Sequence, residues 1–248
     1  MPNFETVAAY KRPPNIETVL EIKFATTANM KVVDHAAAKL KRFYKRAEME
    51  QRVEATMEIK SGLTQHKSEI IGWRMTSDDQ TELLLLYAES FVFAQLAPYP
   101  GFDVFFQRIK RDYRYLKEEF GFRSVTRLGL RAINRVDIPI KQFPHPQPHQ
   151  FFTIGPNPPP FGSKTLLNFT MQLENSLDQE GNKGRVTVAT IAPIVPGTNA
   201  FVLDVDVYRD NDLPDSEAGI WELVLRLRQL KNLVFESTIT EETRSLFG

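Results

Sequence analysis

Apolar and polar residues alternate along IETVLEIKF (16–24). Ile16, Leu20, Ile22 and Phe24 are spaced by Glu17, Glu21 and Lys23, the period of a half-buried strand. The period then lengthens: in NMKVVDHAAAKLKRFYKR (29–46), Val33, Ala37, Leu40 and Tyr44 recur at helical spacing, and Asn29 is placed to cap the first turn. Four strand-like runs follow, VEATMEIK, IIGWRMT, TELLLLYA and FVFAQLA, separated by Gly62, Asp78–Asp79 and Glu89–Ser90. PGFDVFFQRIKRDYRYLKEEFG (100–121) returns to helical spacing through Phe102, Phe105, Phe106, Ile109, Tyr113, Leu116 and Phe120, with Gly121 as its stop.

The second half opens on a long strand over 125–137. Residues 139–161 then hold half of the chain's 16 prolines, which rules out a central strand or a regular helix, because each ring removes an N–H and fixes φ. The segment reads as an extended surface connection standing where the first half has its helix. Strands resume at TLLNFTMQLE, RVTVATIAP and AFVLDVDVY, and a closing helix runs from about 215 to 234. The order predicts an α+β protein with large antiparallel sheets and few helices. Its two related halves are 1–122 and 123–248. The first is β-α-β4-α; the second is a degenerate equivalent containing the proline-rich connection. That is the order of the TATA-binding-protein saddle and of helix-grip domains, an analogy of fold that carries no function.

Ile220, Trp221, Leu223, Val224, Leu225, Leu227, Leu230, Val234 and Phe235 cover more of the closing helix than one core-facing stripe requires. The surplus predicts either burial within the chain or a homodimer contact.

Charge narrows the partners. The chain has 31 basic and 31 acidic side chains, so no bulk field favours nucleic acid or a membrane surface. The first 138 residues carry a net +4 and the rest a net −4. There is no cysteine, which excludes disulfides, thiol catalysis and thiolate-ligated zinc. No stretch approaches a membrane span and no apolar leader opens the chain, so the expected location is the cytoplasm.

RLGLRAINRVDIP (127–139) is the most unusual stretch chemically. Side chains of a strand alternate between faces, so Arg127, Arg131 and Arg135 share one side. With Asn134 they form a candidate site for an anion or a partner. On FVLDVDVY, Asp204 and Asp206 likewise share a face, roughly 7 Å apart. If the two strands are neighbours, Arg131 and Arg135 would pair with those carboxylates in forked geometry. The polar faces could equally be solvated, or the arginines could hold phosphate.

A second basic stripe, Lys110, Arg114 and Lys117, lies on the 103–120 helix with aromatic neighbours, a pattern that can track a nucleic-acid backbone but more often marks a solvated helix face. Enzyme signatures are scarce: GxGxxG, GxSxG, HExxH and the Walker loop are all missing from the sequence. His145 and His149 lie in the proline-rich connection, and the acidic 204–217 stretch lacks the glycine and closing Glu of a calcium loop. Triphosphate-tunnel enzymes use Glu-x-Glu-x-Lys strands; Glu21–Lys23 and Glu58–Lys60 supply only the last half of that motif.

Taken together, PPNIETVLEIKF (13–24), LAPYPGFDVFF (96–106), RLGLRAINRVDIP, VLDVDVY and LKNLVFESTIT (230–240) resemble a sporadically distributed family of bacterial and archaeal proteins about 250–260 residues long. The resemblance runs nearly end to end. Its most specific marks are Arg131–Arg135 and the Phe-Glu-Ser-x-Ile-Thr close at 235–240. It implies no catalytic residue. The patchy distribution implies an accessory gene of a mobile or defence-linked system. The expectation is therefore a cytoplasmic binding or interaction protein with no catalytic residue, cofactor or metal assigned. A protein partner or a second copy comes first among partners and nucleic acid second, with a metal-dependent phosphate-handling enzyme using Glu21, Glu58, Asp204 and Asp206 as a further alternative.

Overall fold

The computed structural model describes residues 10–57, 64–157 and 168–248. Among these are nine strands and five helices, an α+β protein built on antiparallel sheet. The chain divides into a central unit, Glu21–Thr126, and a C-terminal unit, Arg127–Gly248 together with the chain up to Leu20. Strand β1 (Asn15–Phe24) begins in the C-terminal unit and ends in the central one.

In the central unit, helix α1 (Met30–Leu40) starts where expected, with the Asn29 side chain accepting from the Lys31 N–H at 2.9 Å. It buries Val33, Ala36, Ala37 and Leu40. Strands β2 (Arg46–Met57), β3 (Thr64–Thr76), β4 (Glu82–Tyr87) and β5 (Ser90–Leu96) hydrogen-bond in that order. The expected turn at Gly62 and the end of the 53–60 run lie outside the described residues. Helix α2 (Phe102–Phe120) buries Phe102, Phe105, Phe106, Ile109, Tyr113 and Leu116, and ends at Gly121 with φ +68°, a conformation that favours glycine.

In the C-terminal unit, β6 (Val125–Pro139), β7 (Thr170–Ser176), β8 (Lys183–Ile191) and β9 (Thr198–Arg209) pair in the order β6-β9-β8-β7. One face of this sheet is apolar: Leu128, Leu130, Ala132, Val136 and Ile138 of β6, and Phe201, Leu203, Val205 and Val207 of β9, are all buried. Helix α4 (Glu217–Thr238), capped by Ser216, packs on β9 and β8 through Ile220, Leu223, Val224, Leu227, Leu230 and Val234. Leu225 stays 42% exposed.

The proline-rich segment departs from its expected surface course. It contains a short helix, α3 (Pro148–Phe151), entered through a proline, which a helix tolerates in its first turn. Phe151 and Phe152 are 0% and 1% exposed, and burying a Phe side chain contributes about 1.5–3 kcal/mol. The backbone is tied to the end of α4 by Thr153 N–H to Thr238 O at 2.8 Å and Thr240 N–H to Phe151 O at 3.1 Å. Thr243, in the closing helix α5 (Glu241–Phe247), donates its hydroxyl to Phe151 O at 2.6 Å. The prolines govern the approaches; the two phenylalanines anchor the segment.

Candidate functional site

On β6 the even positions face the core and the odd ones, Arg127, Arg131 and Arg135, face away from it. Opposite them, β9 brings Asp204 and Asp206 to the same side. The register continues outward: Arg131 stands beside Asp206, Asp206 beside Arg185 on β8, and Arg185 beside Glu174 on β7. A row of alternating charge thus crosses four strands. The neighbouring row is Ile133, Asp204, Thr187 and Gln172. Directly opposed unlike charges are favourable on a sheet, typically by 0.2–1 kcal/mol per pair.

The side chains close into pairs. Arg131 forks onto Asp204, with Nε to Oδ1 at 2.8 Å and Nη2 to Oδ2 at 2.5 Å. Arg127 reaches Asp206 at 2.8 Å and lays its guanidinium 4.5 Å from the Tyr208 ring centre. Arg185 meets Glu174 at 2.7 Å, and the Tyr208 hydroxyl donates to the other Glu174 oxygen at 2.7 Å. Arg135 does not join Asp204 or Asp206. It turns along its own strand to Asp137 at 2.9 Å and to Ala192 O at 3.3 Å. The expected pairing was therefore displaced by one step along the strand: the partners of the two aspartates are Arg127 and Arg131.

Asn134 lies on the opposite, core face, 4% exposed, donating to Ala132 O at 3.2 Å and Leu203 O at 3.1 Å. It bridges β6 to β9 and shares no surface with the arginines. Lys110, Arg114 and Lys117 are exposed on the solvent face of α2, in the central unit, and Lys110 folds its ammonium to 4.5 Å from the Phe106 ring centre.

Arg131, Gln172, Arg185, Thr187, Asp204 and Asp206 line a shallow polar pocket of about 180 Å³. Its electrostatics are those of a closed network. Donating to the Asp204 carboxylate holds the Arg131 guanidinium above its usual basicity, against the opposing effect of burial. Burial raises the Asp206 carboxyl, and the Arg127, Arg131 and Arg185 charges oppose that rise. Hydrogen bonds from Tyr208 and Arg185 lower the Glu174 carboxyl. Arg185, Glu174, Gln172, Thr187 and Tyr208 were not singled out from sequence. The signal was present as period-two polar positions in RVTVAT and TMQLE.

A second polar cluster is buried in the central unit. Tyr44 donates to Asp112, which is 0% exposed, and Arg111 Nε reaches the other Asp112 oxygen at 2.8 Å. Arg108 extends from α2 to Ala94 O on β5 at 2.8 Å. Burial keeps the Tyr44 hydroxyl protonated by raising it well above its ordinary value. This cluster fastens α2 to the strand it covers.

Among the described residues no group of three or more His, Asp or Glu side chains converges to hold a metal. Asp204 and Asp206 face arginines, Glu21 lies 3.5 Å from Lys23, and Glu58 is outside the described residues. No helix among the described residues is long and apolar enough to cross a membrane. No protein-family model matches the chain, and no curated protein is similar to it in sequence.

Proposed function

We propose that this chain is a binding protein that engages a protein partner, and that its arginine face is an internally neutralised recognition surface without chemistry of its own. One observation supports this above the rest. Each guanidinium on that face already meets a carboxylate: Arg127 with Asp206, Arg131 with Asp204, Arg135 with Asp137 and Arg185 with Glu174. A nucleic-acid track draws its affinity from cations that release counterions from phosphates. Here a phosphate would first have to open a forked ion pair. A metal-dependent phosphate enzyme meets the same obstacle, since Asp204 and Asp206 would have to leave their arginines.

The same reading takes residues 1–122 and 123–248 as related halves, each with four strands followed by a long helix, β2 to β5 then α2, and β6 to β9 then α4. It takes the fold as saddle-like or helix-grip-like, the location as cytoplasmic, and the resemblance to the sporadic, defence-linked family as kinship.

The test pairs two measurements: binding of short single-stranded and duplex oligonucleotides at physiological salt and over a salt series, and capture of partners from native lysate with and without nuclease. Nucleic-acid binding is expected to stay at non-specific strength, about 10⁻⁴–10⁻⁶ M, and to be unchanged by Arg131→Ala. A stoichiometric protein partner should survive nuclease. Tight, steeply salt-dependent binding that collapses in Arg131→Ala overturns the reading.

A further inference from the structure

The central unit carries a basic face that, unlike the arginine face, is not neutralised. The end of α1 and the turn after it read KLKRFYKR (39–46), five cations in eight residues with no carboxylate among them. Lys110 and Arg114 stand on the solvent side of α2. Lys39 is answered by Glu118 and Glu119, at 3.3 and 2.5 Å. Arg42, Lys45, Lys110 and Arg114 are exposed, and among the described residues no carboxylate comes within 4 Å of any of them.

The two arginines are drawn to one ring. Arg42 holds its guanidinium 4.8 Å from the centre of the Tyr115 ring, and Arg114 holds its own 5.4 Å from the same centre. Phe43 packs against that ring at 5.5 Å and carries the Arg111 guanidinium at 4.1 Å. Arg42 also donates from Nε to Lys39 O at 3.3 Å, as a cation at a helix end does. A helix end holds only about half a negative charge, which a single cation answers. Lys110 and Arg114 lie within α2, away from its end. Folding therefore gathers like charges here without a countercharge, and an incoming anion relieves their repulsion.

We infer that this face binds an acidic segment of a protein partner, with Arg42 and Arg114 forking onto its carboxylates and Lys45 and Lys110 flanking them. Charge complementarity selects an anion, and the state of the rings selects which one. Single-stranded nucleic acid gains affinity from bases stacked on open aromatic faces. Here Tyr115 and Phe43 already carry guanidiniums and pack on each other, and buried Phe106 carries the Lys110 ammonium at 4.5 Å. Duplex binding draws on a basic field, and the net charge of this chain is zero. A guanidinium held against a ring is also ordered before the partner arrives, which lowers the cost of binding. The inference rests on the reading of this chain as a protein-binding module and names the chemistry of the partner segment. None of its side chains belongs to the arginine face.

The probes are a short fluorescent peptide of glutamate and aspartate, its glutamine and asparagine isostere, and single-stranded and duplex oligonucleotides of equal charge. Each is titrated by anisotropy over a salt series. The acidic peptide should bind saturably, and more weakly as salt rises, while the isostere should not bind. Arg42→Gln combined with Arg114→Gln should weaken the peptide by about tenfold or more, the loss expected of charge-assisted hydrogen bonds. Both side chains are exposed, so this variant should melt close to the parent. Arg131→Ala should bind the peptide as the parent does. Absence of saturable peptide binding overturns the inference, and so does equal binding by the double variant. Tighter binding of either oligonucleotide overturns it as well, making the face a nucleic-acid track. A protein partner from lysate that the double variant retains at full strength leaves the protein-binding reading standing and removes this face from it.

Discussion

The guanidinium of Arg127 lies across Gly129, with Nη1 2.5 Å from where a β-carbon at residue 129 would stand. A glycine within a strand ordinarily weakens it. Here it leaves the floor over which Arg127 reaches Asp206 and the ring of Tyr208. The central unit repeats the device, with the Tyr87 ring passing over Gly72 to reach Glu50.

Replacing Gly129 by alanine sets two effects against each other. Removing glycine from a strand favours folding by about 0.5–1 kcal/mol. Displacing Arg127 leaves Asp206, whose side chain is only 14% exposed, without its nearest counter-charge. Stranding a fully buried charge costs about 3–5 kcal/mol, and the partial exposure of this pair lowers that figure. Gly129→Ala should therefore destabilise the protein by about 1–2 kcal/mol in denaturant titrations. In an Asp206→Asn background the same change should be neutral or stabilising. Equal losses in both backgrounds would show that the glycine serves something other than this pair.

The Tyr44–Asp112 contact makes a second prediction. Tyr44→Phe removes a buried donor and should cost about 1–3 kcal/mol. Asp112→Ala leaves Arg108 and Arg111 only the Glu82 carboxylate, 3.8 Å from each, and because Arg111 is 32% exposed the cost should fall below the figure for a fully buried charge, to about 2–3 kcal/mol. The double variant should fall short of the sum. Losses below about 0.5 kcal/mol, the level of ordinary surface changes, would mean the cluster does not fasten α2.

Lys231 on α4 governs the alkaline side of stability. Burial pulls its ammonium down to about 8, with the Arg228 charge acting in the same direction, although the residue keeps some contact with water. The ordinary value is 10.5. Between those values the unfolded chain holds a proton that the folded chain has released, so stability rises with pH through that window. Tyr10, raised to about 12 by burial and by its hydrogen bond to Glu236, acts oppositely from pH 10 upward, so the rise is best read between pH 8 and 10. Lys231→Met should melt higher than the parent at pH 7 and lose the rise. A variant that melts no higher and keeps the slope would refute the assignment.

The sequence by itself determined the elements and the faces. Alternation placed the strands except the first half of β2, which begins at Arg46 although the strand-like run begins at Val53. Helical spacing placed α1, α2 and α4, although α1 stops at Leu40, short of Tyr44. Asn29 was readable as a cap, and the spacing of Arg127, Arg131 and Arg135 put all three on one side. These are local properties: a residue's face follows from the backbone period of its own element. Only the tertiary structure decided the partners. Arg127 and Asp206 are 79 residues apart in sequence, and which carboxylate an arginine meets depends on strand register and on whether the next residue on its face is a glycine that it can lie across or an aspartate that it can fold back to. The burial of Phe151 and Phe152 among the prolines, and of Asp112 beneath Tyr44, likewise came from segments brought together by packing. Periodicity is written within each element; pairing is a property of the assembled sheet.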